Sequence, residues 1–171
     1  MREVNVVLAL GLNEDLVASI REVSPRLRVT TLSWAQRRVY RGGRQVWYAY
    51  AEERRPDEES EEEAQVSLAT VLTQMEVLFT SPVVPADITE RAPNLRWVQL
   101  TSAGVEGLLD SELARSGITL TTASGIHAVP IGEYVISVML AFAKGLPGAM
   151  RAQAAHCRPV CPGPARGFWL H

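Results

Sequence analysis

Residues 4–10 read VNVVLAL, and this apolar run decides the class of the fold. A nearly continuous apolar run of this length is typical of a strand that is covered on both faces. Gly11 turns the chain, Asn13 is suited to cap a following helix, and Pro25 ends that helix. Leu27 to Leu32 predicts the second strand. A strand, a helix and a strand in this order favour a parallel sheet.

Three further apolar runs extend this pattern, with residues at helical spacing between them. They lie at Val77 to Thr80, Leu95 to Leu100 and Ile118 to Thr121. We therefore predict an α/β fold, a flavodoxin-like parallel five-stranded three-layer sandwich, over the domain 1–124. Residues 125–156 are predicted to form a hinge and a long interdomain helix that begins at Pro130, and residues 157–171 an irregular tail.

The segment between the second and third strands is basic at first and then acidic. Within residues 34–56, Arg37, Arg38, Arg41 and Arg44 flank Gly42-Gly43, and this glycine pair either closes a hairpin or lies in an irregular insertion. The chain has 17 basic and 19 acidic residues, a formal charge of −2, which gives no electrostatic case for binding nucleic acid or an anionic membrane. Residues 57–63 are mostly acidic and predict the solvated start of a helix.

Cysteines are few and lie in the tail. Cys157 and Cys161 are the only two, so a disulfide framework is not expected and the chain is predicted to be cytoplasmic. His156, these two cysteines and His171 do not match the ligand spacing of a zinc site, and no metal is expected. No segment has the length and flanking residues of a signal peptide or a membrane span.

Chemistry is expected where the fourth strand ends. Residues 92–105 read APNLRWVQLTSAGV, a buried strand that runs into a turn of small residues. Ligands of open α/β sheets bind at this edge, and the N–H groups of such a turn attract a carboxylate. A plain tight turn, with Ser102 as the cap of the next helical turn, would have the same composition. Residues 124–134, SGIHAVPIGEY, then open a long apolar helix.

In this order, the two motifs resemble the D-isomer-specific 2-hydroxyacid dehydrogenase family. The resemblance implies that Ala103, Gly104 and Val105 present backbone N–H groups to the carboxylate of a 2-hydroxy or 2-oxo acid. It also implies that Ile131 approaches the nicotinamide end of the cofactor, NAD or NADP. His127 has the chemistry of an acid–base group, but the resemblance assigns it to the hinge, where a local hydrogen bond is its expected role.

The resemblance also predicts family features that this sequence lacks. In the family, a strand and a Gly-x-Gly-x-x-Gly loop for the cofactor follow the long helix, as do the catalytic Arg, Glu and His. These 171 residues contain no Gly-x-Gly. We therefore expect the substrate-binding part of an NAD(P)-dependent oxidoreductase, truncated before its cofactor loop, with no catalytic residue of its own and inactive alone. The alternative is a non-catalytic module that binds a small carboxylate or a partner.

The long helix carries an expectation about association. Its apolar residues, among them Val135, Val138, Met139 and Phe142, are spread around nearly the whole circumference. In the family, the cofactor domain covers this helix and makes much of the dimer contact. Without that cover, we expect homo-oligomers through residues 130–146, or a helix folded back on its own domain.

Overall fold

The computed structural model describes residues 2–44 and 60–156. The chain divides into two units, Met1–Gly125 and Ile126–His171. The first unit contains, in chain order, β1 (Val4–Leu8), α1 (Glu14–Glu22), β2 (Leu27–Thr31), α2 (Trp34–Tyr40), α3 (Glu61–Gln74), β3 (Val77–Thr80), α4 (Ile88–Arg91), β4 (Trp97–Leu100), a 3-10 turn (Glu106–Leu108), α5 (Glu112–Arg115) and β5 (Thr119–Thr121). The second contains α6 (Ala128–Ala143) and α7 (Leu146–Ala154).

The five described strands form one parallel sheet in the order β2-β1-β3-β4-β5. This is the strand order of the flavodoxin-like fold. In register, Val6 lies opposite Val29 on one side and Val77 on the other, and Trp97 lies between Val77 and Thr119. The predicted α/β fold is confirmed, and so is the parallel pairing of the first two apolar runs.

Local sequence explains the opening strand–helix–strand unit. The Asn13 side chain accepts a hydrogen bond from the Leu16 N–H at 3.0 Å and so caps α1, because the first N–H groups of a helix have no partner within it. Val17, on the inner side of α1, is buried in a cluster with Val6 and Leu8 of β1. The helix therefore packs on the strand that precedes it, as a right-handed crossover requires.

A buried acidic residue ties β1 to the start of β3. Glu76 is 7% exposed, and its carboxylate pairs with the Arg2 guanidinium. The same carboxylate accepts a hydrogen bond from the Asn5 N–H at 3.3 Å, while the Glu76 N–H donates to the Asn5 carbonyl at 3.0 Å. These bonds offset the cost of burying the charge. They join segments that are 71 to 74 residues apart in sequence.

The segment after β2 corrects one expectation. Ser33 caps α2 with a reciprocal pair of hydrogen bonds: its hydroxyl accepts from the Gln36 N–H at 3.1 Å, and the Gln36 side chain accepts from the Ser33 N–H at 2.9 Å. Gly42 and Gly43 follow this helix with φ angles of 59° and 74°, and form the turn that ends it. Of the two alternatives for this glycine pair, the hairpin is wrong, because the residues before the pair form a helix and not a strand. Residues 45–59 lie outside the described part of the chain.

The end of the acidic run begins a helix, as predicted. Ser60 caps α3, and the Glu63 carboxylate accepts hydrogen bonds from the Ser60 N–H at 2.9 Å and from the Ser60 hydroxyl at 2.8 Å. These two bonds hold the pKa of the Glu63 carboxyl below its ordinary value. Farther along α3, Ala64, Leu68 and Leu72 are fully buried against the sheet.

The two faces of the sheet carry cores of unequal size. On the face that we call the first, α2, α3, α4 and α5 all contribute to one large cluster, for example through Tyr40, Leu68, Ile88 and Leu113, over Leu78 and Val98 of the strands. The other side, the second face, has a small buried cluster of Val6, Leu8 and Val17. Among the described helices of the first unit, α1 is the only one in the second cluster.

The second unit consists of two consecutive helices. Pro130 lies in the first turn of α6, where a missing N–H costs no helical hydrogen bond. Gly145, with a φ of 66°, separates α6 from α7, and the two helices are bent by 66°. No residue of α6 is buried. Within residues 2–44 and 60–156, no single helix is long and apolar enough to cross a membrane, and α6 and α7 reach that length and composition only as a bent pair.

We predict that Leu68→Ala lowers the free energy of unfolding by about 2–5 kcal/mol, because it leaves a cavity in the first-face cluster. Val66→Ala on the same helix is the matched control. Val66 is 71% exposed, so its truncation changes stability by less than about 0.5 kcal/mol. Urea unfolding followed by circular dichroism measures both values. Equal losses in the two variants would contradict the assigned inner side of α3.

Candidate functional site

The turn predicted to bind a carboxylate lies at the carboxyl edge of the sheet. The Thr101 N–H donates to the Thr80 carbonyl at 3.0 Å, which carries the pairing of β3 and β4 one residue beyond the strands. The Ala123 N–H donates to the Ser102 carbonyl at 2.9 Å and ties the segment after β5 to the same place. Two hydrogen bonds from neighbouring strand ends therefore hold the start of the turn, and Ala103 to Val105 follow as its tip.

The three predicted residues, Ala103, Gly104 and Val105, are consecutive in this turn. Ala103 is exposed, and Gly104 and Val105 are half-buried. In the described part of the chain, their N–H groups donate to no protein acceptor. They are therefore available to an anion. Ser102 is not the cap that the plain-turn alternative gives it: its hydroxyl donates to the Gly104 carbonyl at 2.7 Å, and Val105 is the residue at the cap position.

An acidic side chain lies against this turn. A Cβ atom on Gly104 would lie too close to the Glu106 carboxylate, so a larger residue here would require that side chain to shift. Glu106 is exposed and flexible at its far end, which lets it move aside. A bound carboxylate would repel it, since two like charges about 4 Å apart in water cost roughly 1 kcal/mol. This effect was not predicted from the sequence.

A group of buried hydroxyls lies at the same edge and was also missed. Tyr40, Thr80 and Ser81 are each at most 1% exposed, and their hydroxyls have no hydrogen-bond partner. The Tyr40 and Thr80 hydroxyls are neighbours, although no bond of ordinary geometry joins them. Burial raises the pKa of Tyr40 well above its ordinary value, against the opposing charges of Arg91 and other arginines. The only sequence signal is that Thr80-Ser81 directly follows an apolar strand.

The predicted cofactor residue lies in the second unit. Ile131, in the first turns of α6, is 59% exposed, and its N–H donates to the His127 carbonyl at 3.0 Å. His127 precedes the helix without a side-chain cap bond. The described residues do not fit a dinucleotide by themselves: one glycine, Gly125, lies in the loop before α6, and Pro130 removes one of the N–H donors on which phosphate binding depends. No metal is predicted from the sequence, and Cys157, Cys161 and His171 lie outside the described residues.

Known proteins match parts of this chain. No family model matches it. Over 78 residues it is 33% identical to an erythronate-4-phosphate dehydrogenase of Tolumonas auensis, a match that covers 44% of this chain and 21% of that protein. It is also 35% identical over 71 residues to an uncharacterized protein in the mprR 3' region of Streptomyces coelicolor, which covers 42% of this chain and 25% of that one.

Solved structures share the fold. A D-isomer specific 2-hydroxyacid dehydrogenase family protein from Aeromonas salmonicida superposes with a TM-score of 0.55 at 21% identity, over 91% of this chain and 41% of its own. The chain is thus similar in part of its sequence to a dehydrogenase and shares the fold of D-isomer-specific 2-hydroxyacid dehydrogenases. A 2-hydroxyacid dehydrogenase from Ketogulonicigenium vulgare has a TM-score of 0.56 at 16% identity, over 99% of this chain and 43% of its own. This chain thus spans about two fifths of the length of these dehydrogenases.

We predict that Tyr40→Phe raises the free energy of unfolding by about 1 kcal/mol near neutral pH, because it removes a buried hydroxyl without a partner. The pKa of Tyr40 is raised in the folded state, so above the unfolded value of about 10 the unfolded state ionises first. The free energy of unfolding is therefore unaffected by this group below about pH 10 and falls as pH rises beyond it. Tyr40→Phe therefore flattens the fall of stability between pH 9 and 11. Urea unfolding measures this, with Tyr134→Phe, an exposed tyrosine, as the matched control. A pH dependence shared by Tyr40→Phe and the unaltered chain would contradict it.

Proposed function

We propose that this chain supplies the substrate-binding part of an NAD(P)-dependent D-2-hydroxyacid dehydrogenase, and that the turn Ala103–Val105 binds the carboxylate of a 2-hydroxy or 2-oxo acid. The observation that carries the proposal is the set of three consecutive N–H groups without a protein acceptor, beyond the carboxyl end of β4. The kinship with 2-hydroxyacid dehydrogenases selects this class of ligand.

The turn has the chemistry that this role needs. Small side chains let a ligand approach the backbone, and N–H groups that converge on one point stabilise a negative charge without a titrating residue. Binding of this kind orients an acid through its carboxylate and leaves the 2-carbon free to react elsewhere. The proposed role is therefore to hold and orient the substrate, and it assigns no proton or hydride transfer to these residues.

The cofactor belongs to the same proposal but to other residues. NAD or NADP would supply hydride chemistry, and in this chain Ile131 would offer only an apolar contact to it. No Gly-x-Gly occurs in the 171 residues. We infer that a dinucleotide-binding part is needed for turnover, and we assign the protein to the cytoplasm, since its two cysteines give no basis for a disulfide framework.

The first prediction concerns ligand binding. Oxalate and tartronate are dicarboxylate probes of the turn, and calorimetry on the 171-residue chain is expected to show one site. Glu106→Gln is expected to raise the affinity for oxalate about fivefold, which corresponds to the roughly 1 kcal/mol of repulsion that it removes. Glu22→Gln, an exposed carboxylate on α1, is the matched control and changes nothing. Absence of binding to every variant, or equal effects of the two substitutions, would overturn the site.

The second prediction concerns activity. The purified chain is expected to show no turnover of glyoxylate, hydroxypyruvate or 3-phosphoglycerate with NADH or NADPH, because it lacks a phosphate-cradling glycine loop. Absorbance at the nicotinamide wavelength follows the reaction, and an authentic dehydrogenase serves as the positive control. A rate above background that is proportional to the concentration of this chain would refute the inference.

The third prediction concerns self-association through residues 130–146. Val135, Met139 and Phe142 are 47%, 66% and 71% exposed, and each large apolar side chain left in water forgoes about 1.5–3 kcal/mol. We expect light scattering to give a mass that rises with concentration. Met139→Lys with Phe142→Lys is expected to abolish this rise. Val23→Lys with Val66→Lys, which places the same charges on exposed positions of the first unit, leaves it unchanged. A monomer at all concentrations would contradict the proposal.

A further inference from the structure

Glu106 lies against the proposed carboxylate turn and has no partner of its own. An ideal Cβ atom on Gly104 would lie 3.1 Å from the Glu106 carboxyl carbon and 3.2 Å from one of its oxygens. Within residues 2–44 and 60–156, this carboxylate forms no ion pair and no hydrogen bond. Both of its oxygens can therefore act on a molecule that binds the turn.

The backbone holds the Glu106 side chain in this place. Glu106 opens the short 3-10 turn, and Leu108 at the end of that turn is 7% exposed within the first-face cluster. The Leu108 N–H donates to the Val105 carbonyl at 2.9 Å, and the Ser102 hydroxyl donates to the Gly104 carbonyl at 2.7 Å. The buried leucine and these two bonds fix the Glu106 Cα atom relative to the turn, so the carboxylate moves only through its side-chain torsions.

This carboxylate acts differently on the two ends of a small acid. Every 2-hydroxy acid presents one carboxylate to the turn, and the repulsion between that group and Glu106 is common to all of them. The acids differ in the group on the far side of the 2-carbon. A negative charge there adds a second repulsion, which at about 4 Å in water weakens binding roughly fivefold. A hydroxyl there donates a hydrogen bond to the carboxylate, and a cation is attracted to it.

We propose that Glu106 is a specificity-determining residue, which selects acids by the charge of the group attached to the 2-carbon. It favours monocarboxylic acids with a hydroxyl or a cationic group at the 3-position, and it disfavours dicarboxylic acids of the same size. The inference rests on the function proposed above, because the turn must first hold the shared carboxylate, and it names the substrate class of that site.

Three acids with one skeleton test the dependence on charge. Tartronate, glycerate and isoserine are 2-hydroxy acids whose third carbon carries a carboxylate, a hydroxyl and an ammonium group, respectively. Calorimetry on the 171-residue chain at neutral pH is expected to give affinities that rise in this order, with about fivefold or more between tartronate and glycerate. Glu106→Gln keeps the size of the side chain and removes its charge, so the three affinities are expected to become equal to within about twofold.

Two further variants and the salt concentration are the controls. Glu22→Gln removes an exposed carboxylate from the last residue of α1, where that helix returns to the start of β2 at the opposite edge of the sheet. It is expected to leave the affinity ratios unchanged. Glu106→Asp keeps the charge and is expected to retain the order of the three acids. Raising NaCl from about 0.05 to about 0.5 M is expected to lower the ratio between glycerate and tartronate in the unaltered chain, because salt screens exposed charges.

The outcomes distinguish this inference from the function on which it rests. Binding of none of the three acids would overturn both. Binding of all three, with the same ratios in the unaltered chain and in Glu106→Gln, would overturn the role of Glu106 and leave the carboxylate turn in place. A Glu106→Asp variant that loses the order as fully as Glu106→Gln would also contradict selection by charge. Circular dichroism checks that each variant is folded.

Discussion

Parallel pairing is the constraint on which the rest of this structure depends. Two parallel neighbours cannot be joined by a tight turn, so the chain must cross a face of the sheet each time it returns, and an apolar helix makes that crossing. The second consequence is that all strands end at one edge. Thr80, Thr101 and Ala123 meet there through backbone hydrogen bonds, although they come from three different strand ends. The candidate site is a product of this convergence more than of any single motif.

The edge has a definite electrostatic character. The N–H groups of the turn that have no protein acceptor are favourable to an anion, while the Glu106 carboxylate opposes one. Ala103 to Val105 and Glu106 are consecutive in the sequence. In the proposed function, the affinity for a small acid is therefore a balance between backbone dipoles and one exposed carboxylate, which a change of side chain at position 106 would alter.

The sequence predicted the parts of this protein that depend on local patterns. The apolar run at residues 4–10, the cap at Asn13 and the small-residue turn each carry their signal within a few neighbouring residues. The helix after Ser33 was not predicted, because the glycine pair behind it favoured a hairpin or an irregular insertion, while its capping pair with Gln36 is a signal of only two residues. No local pattern reveals the burial of the Tyr40 and Thr80 hydroxyls, which come from elements about 40 residues apart and become neighbours only on folding.

The sheet face was unpredictable for a similar reason. Trp97 and Thr119 lie in strands whose side chains alternate between the two faces of the sheet. Whether a strand residue faces a helix or water depends on which face the later helices pack against. The pattern of β4 and β5 is compatible with either, and only the packing of α2 to α5 on the first face decides between them.

The position of β1 has a consequence for the order of events during synthesis. β1 leaves the ribosome well before β3, yet it is a central strand whose second edge pairs with β3, more than 70 residues later. Until Thr80 has been made, that edge offers unpaired backbone groups to any other extended chain. The Arg2–Glu76 ion pair and the Asn5–Glu76 hydrogen bonds can form only once β3 pairs with this edge. During synthesis, a strand that is central in the folded sheet therefore remains an unpaired edge until β3 has been made.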